Sequence, residues 1–146
     1  MRRFVILASW IFLTSNILAD DRITTIDLAK GSVGLNGASF QYPDGKPEIT
    51  VKKLVITPND GEKVILAEHC HPVPAAGYML KGSITVIDSS GSWMLKEGDG
   101  VIDIMNVWHK GISSEHTELI VFYAGATNIP ISVKKGSDSA FAKECF

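Results

Sequence analysis

Short apolar runs, each cut by a turn, set the strongest limit on what this chain can fold into. Residues 48–57 contain Ile49, Val51, Leu54, Val55 and Ile56, and β-branched side chains of this kind suit a pleated strand. Pro58-Asn59-Asp60-Gly61 then turns the chain. Further strands are expected at 64–71, 77–81, 83–87, 92–95, 101–104, 109–112, 118–124 and 129–133. Gly82, Ser89-Ser90-Gly91 and the run from Lys96 to Gly100 separate several of them. No helical period, internal repeat or low-complexity tract breaks the series. Many short strands at close spacing predict an all-β fold, a sandwich or a barrel.

Three histidines fall on or beside these strands. His69 and His71 are two apart, and residues two apart on a strand point to one face. His109 follows the apolar segment Val101-Ile102-Asp103-Ile104-Met105, thirty-eight residues after His71. Imidazole nitrogen suits zinc, iron, copper and nickel, and three such ligands leave coordination positions open. For the pair taken alone, surface or turn histidines are the competing reading. Asp103 is the one carboxylate in its apolar run. A carboxylate in that setting is metal- or pocket-facing, solvent-facing or held by a structural hydrogen bond. His116, after Ser113-Ser114-Glu115, reads as an exposed loop residue rather than a ligand. Tyr78, Asn106 and Trp108 neighbour the histidines and are candidate pocket walls. Ordinary core is the alternative for the two aromatics, and a turn for the asparagine.

The spacing of these residues resembles that of a small single-domain cupin of the type-2-like kind. The first cupin motif is a glycine, His-x-His, a glutamate and a closing glycine. His69, His71 and Gly82 match it, Ala75 stands in the glutamate slot, and Gly61 lies two residues too far from His69. In the second motif Gly98 and His109 match in spacing. Ile104, Asn106 and Ser113 occupy the slots of its proline, second glycine and asparagine. The resemblance spans roughly residues 45–125. It implies a jelly-roll β-barrel and one divalent transition metal on His69, His71 and His109, with Asp103 the candidate replacement for the missing glutamate. Three activities are open to such a fold: a non-haem iron dioxygenase, a non-catalytic metal- or small-ligand-binding or sensing module, and an isomerase or lyase. Cupin thiol and diketone dioxygenases are similar in using three histidines without the glutamate.

The chain begins with Met1-Arg2-Arg3, an apolar run from Phe4 to Leu13, a polar stretch and Ala19. That is the pattern of an export signal cleaved after residue 19, too short to span a bilayer comfortably. The expected organisation is a signal over 1–19, an N-terminal arm over 20–47, a cupin β-barrel over 48–134 and a tail over 135–146. The protein is expected to be secreted, with the periplasm as its compartment. Removing residues 1–19 from the 146 leaves 127, a size for one domain. The glycine-rich arm is expected to drape over the surface or to pack on a partner in a homodimer.

Removing Arg2 and Arg3 leaves 12 basic against 16 acidic residues. The lysines are scattered and form no basic groove, which speaks against nucleic acid as a partner. Arg22 is the only arginine after the expected signal, so a tightly clamped carboxylate substrate is disfavoured, Lys81 and Lys110 being weak substitutes, and the partner expected is a small molecule. Cys70 and Cys145 are the two cysteines. In an oxidising compartment they form a bridge, or else Cys70 stays free and buried while Cys145 links a dimer.

Overall fold

A computed structural model describes residues 22–146; the signal expected over 1–19 lies outside them. Ten strands follow one another: β1 Pro47–Ile56, β2 Val64–Ile65, β3 His69–Cys70, β4 Ala75–Lys81, β5 Ser83–Ile87, β6 Ser92–Lys96, β7 Gly100–Ile102, β8 Lys110–Ser113, β9 Thr117–Ala126 and β10 Val133–Lys134. A 3₁₀ helix, Ala140–Glu144, closes the series. Among the described residues no helix is long and apolar enough to cross a membrane.

The strands form two four-stranded sheets, β1-β9-β4-β7 and β2-β8-β5-β6, and a two-stranded ladder, β10-β3, and every pairing is antiparallel. Among the described residues no sheet closes on itself, and this corrects the expectation of a jelly-roll barrel. The chain passes from one four-stranded sheet to the other between β1 and β2, β2 and β4 by way of β3, β4 and β5, β6 and β7, β7 and β8, and β8 and β9. Those passages carry no ladder between the sheets, so β1 and β7 remain edges of one and β2 and β6 edges of the other. Single bridges from His69 to His109 and from His71 to Met105 are the ties of the β3 segment to the chain near β8. They are too short to complete a ring of hydrogen bonds. The result is a sandwich whose inward faces share one core.

Alternation explains that core. On β9, Thr117, Leu119, Val121 and Tyr123 are buried, while Glu118, Ile120 and Phe122 between them are half-buried or exposed. Ile84, Val86 and Leu95 face them from the second sheet, and Met79 and Ile104 are enclosed almost completely. The strand expected over 64–71 is broken into β2 and β3: the Leu66 N–H extends the β2–β8 ladder to the Gly111 carbonyl, the chain bends at Glu68, and β3 then pairs with β10 instead. The N-terminal arm lies against β7: the Leu35 N–H donates to the Ile102 carbonyl at 3.1 Å, and Leu28 sits over Gly100.

Candidate metal centre

His69 and His109 are held opposite each other by reciprocal backbone hydrogen bonds of 2.9 Å. His71 is placed by the Asn106 N–H, which donates to its carbonyl at 2.9 Å. Three imidazoles from two remote segments thereby meet. Their ring centroids are 4.9 Å apart for His69 and His71, 4.5 Å for His69 and His109, and 5.1 Å for His71 and His109. His71 and His109 are buried and His69 is half-buried.

Each ring is oriented by one carbonyl. The Nδ1 of His69 lies 2.7 Å from the Ala67 oxygen, that of His71 2.6 Å from Ile131, and that of His109 2.8 Å from Val107. A carbonyl can only accept, so each Nδ1 carries the hydrogen and each Nε2 is left with its lone pair. One ligand nitrogen from each ring lies within 4.8 Å of the others. Burial first, and then the neighbouring His71, push the His69 imidazole down to about 4. Burial lowers His71 as well, against the opposing pull of Asp103 and of the Ile131 carbonyl. These two rings are therefore neutral near pH 7, with nothing on Nε2. Converging, desolvated nitrogen lone pairs repel one another until a cation accepts them. The donor set fits a divalent transition metal.

Asp103 stands beside this set. Its Oδ2 is 3.5 Å from His71 Nε2, and its Oδ1 accepts the Ile104 N–H at 2.8 Å. The pairing of Ala76 with Ile102 and the 2.9 Å bond from the Asp103 N–H to the Ala75 carbonyl put Asp103 across the ladder from Ala75. Cross-strand neighbours share a face, so a carboxylate reaches this space from the strand beside Ala75. On the other side of Ala75, β9 pairs it with Tyr123. The Tyr123 ring is 5.4 Å from His71. Burial and then the Asp103 charge push its hydroxyl up to about 12, so it remains a proton donor. Tyr123 escaped the sequence reading; its signal was the inward phase of an alternating strand.

A cavity of about 80 Å³ adjoins the histidines, Asp103 and Tyr123, with aliphatic walls that include Leu54, Ile84 and Val86. Tyr78, Asn106 and Trp108 do not line it. Tyr78 alternates with Gly77, whose position does face the cavity. Trp108 lies under the Lys135 ammonium, 5.8 Å from the ring centre. Asn106 adopts a left-handed φ of 56° and borders a surface groove with Pro72 and Phe141. His116 is remote from the site; it bonds Glu118 at 2.9 Å and Thr57 at 3.3 Å.

The segment from Ile131 onward braces the histidines. Its Ile131 carbonyl holds His71, and β10 pairs Val133 with Cys70 and Lys134 with His69. A disulfide joins Cys70 to Cys145, with Cα atoms 6.3 Å apart. Phe146 donates its N–H to Asn106 and accepts from Trp108, at 3.0 and 3.1 Å.

No protein-family model matches the sequence, and no curated protein does. Among solved structures the chain is similar to DMSP lyase DddQ from Ruegeria pomeroyi DSS-3, with 13% identity over 62% of this chain and 45% of that one, at a TM-score of 0.49. It is similar to the polyketide cyclase RemF from Streptomyces resistomycificus, with 12% identity over 68% of each chain and a TM-score of 0.49. A cupin-like protein from Thermotoga maritima shows 19% identity over 66% of this chain and 73% of that one, with a TM-score of 0.48. The chain thus spans under half the length of the lyase. At these scores none of the likenesses bears on the chemistry, and the site is read from its own residues.

Proposed function

We propose that this protein is an exported, cupin-like metal-binding domain that acts on a small uncharged molecule. One divalent transition metal is held by His69, His71 and His109, with Asp103 as a fourth ligand. The observation that carries this reading is the set of three Nδ1-to-carbonyl bonds, which leaves Nε2 of every ring as the only free donor. Iron in this site would supply dioxygen chemistry, and we take a non-haem iron dioxygenase as the activity. The chain's own part is to bind and to exclude. The aliphatic cavity walls desolvate a ligand beside the metal, and Tyr123 keeps a protonated hydroxyl there at neutral pH. Neither lysine nor arginine lines the cavity, which favours an uncharged substrate over a carboxylate.

Calorimetric titration of metal into wild type and alanine variants tests the site. Each of His69→Ala, His71→Ala and His109→Ala is expected to lose more affinity than the roughly 10–100-fold typical of removing a ligand's hydrogen-bond partner. His116→Ala is expected to leave binding unchanged. Asp103→Ala decides the fourth ligand, since a loss matching that of a histidine includes it and little change removes it. Wild-type affinity in His109→Ala would sink the whole assignment. Elemental analysis after anaerobic purification tests the activity. Iron near one per chain is expected, whereas zinc alone would replace the oxygenase reading with simple ligand binding.

A further inference from the structure

The brace behind the histidines is held covalently at one point. Val133 is buried and Ile131 packs against the core, but the polar attachments around them are short. The β10-β3 ladder is two residue pairs long, and isolated ladders of that length are marginal in water. Two backbone bonds tie Phe146 to the loop before His109, and the Lys135 N–H donates to the Glu68 carbonyl at 3.0 Å. Lys135 and Glu68 also pair through their side chains at 2.9 Å in an exposed setting, where such pairs contribute little. Against this stands a disulfide that spans 75 residues. One of its ends, Cys70, lies between two of the three ligands and turns its buried sulfur away from them.

We propose that the Cys70–Cys145 disulfide is a redox latch on metal retention. Oxidised, it presses the segment 131–146 against β3 and holds the Ile131 carbonyl on His71. Reduced, it releases that segment, frees the His71 ring to rotate and removes the strand that aligns His69. The inference rests on the metal-site reading above and adds its regulation.

The chemistry balances with a dithiol as reductant. Its thiolate attacks the sulfur of Cys145, which is half-buried where Cys70 is fully enclosed. The S–S bond breaks, Cys70 departs as a thiolate and takes a proton, and a mixed disulfide remains on Cys145. The second thiol of the reductant attacks that mixed disulfide, frees the Cys145 thiol and leaves the reductant as a cyclic disulfide. Two electrons and two protons pass to the protein. Both histidine-bearing segments keep their mutual bonds between His69 and His109, so the site is loosened rather than dispersed.

The test is a zinc competition titration against a chromophoric chelator, on oxidised protein and on protein reduced and desalted under anaerobic conditions. Reduction is expected to weaken zinc binding about 10–100-fold, the range seen when the partner orienting a metal-bound histidine is lost. Reoxidation is expected to restore it. Cys145→Ser is expected to bind as weakly as the reduced wild type and to ignore reductant. Cobalt substitution adds a second reading, since a loosened His71 is expected to change the visible ligand-field bands. Equal affinity in the two redox states would overturn the latch while leaving the metal site intact, and so would tight binding by Cys145→Ser. Loss of the far-ultraviolet sheet signal on reduction would also overturn it, because the bridge would then hold the whole fold. Oxidised protein that bound no zinc would overturn the metal site itself, and the latch with it.

Discussion

Removing a proton from His69 is easier in the folded chain than in the unfolded one, because burial and His71 both disfavour its cation. The direction of the resulting pH dependence follows. Unfolded His69 takes up a proton near its ordinary 6.5, whereas the folded residue resists until about 4. Between those values the unfolded state binds more protons, so stability falls as pH is lowered through the window. His71 shifts the same way. Metal-free protein is expected to lose melting temperature steadily from pH 6.5 down to 4, with a shallower loss in His69→Gln. Scanning calorimetry checks this, and parallel slopes in the two proteins would refute it. At this scale the sequence was informative in part. The two spacings, His69 to His71 and Gly98 to His109, picked out the three histidines that converge in the fold. His69 and His109 each bond the carbonyl two residues before them, a local relation. His71 instead uses Ile131, 60 residues away, which no local pattern discloses.

At the scale of elements, Gly82 is the single residue between β4 in one sheet and β5 in the other. It sits at φ +72°, and a Cβ there would collide with the His116 carbonyl and lie 2.8 Å from the Thr117 hydroxyl oxygen. Thr117 cannot yield easily. It is fully buried and bonded to Ser113 and to the Ser83 carbonyl. Gly82→Ala should therefore cost more than about 2 kcal/mol, combining left-handed strain with overpacking. Gly98 has a similar φ of +89° but open space around it, so Gly98→Ala should cost only the conformational part, about 1 kcal/mol. Urea denaturation of both variants checks the contrast, and equal losses would defeat it. Strand positions and inward phases were legible because alternation is local. Closure was not. A barrel and a sandwich share the same alternating faces, and they differ in which edges bond across the chain. Here the β3 segment meets Met105 and His109 by single bridges only, and the edges stay open.

For the whole molecule, export and the disulfide are one expectation. A bridge between Cys70 and Cys145 persists in an oxidising compartment and is rare in a reducing one. Exported protein is expected to begin near Asp20 and to show no free thiol when denatured without reductant. The same chain kept in the cytosol without residues 1–19 should show two. N-terminal sequencing and thiol titration check both halves, and Met1 on the exported form would refute the cleavage. The segment that braces His71 also has a place in time. It is synthesised after His69, His71 and His109 have all been made, and the Ile131 carbonyl must return across 60 residues to reach its ring. Contacts of that span form late, after loop closure. Until then the His71 imidazole has no partner to fix its tautomer, whereas His69 and His109 already have theirs two residues away. For a chain exported before it folds, the compartment where folding finishes, not the one where it is translated, is expected to decide which metal occupies the site.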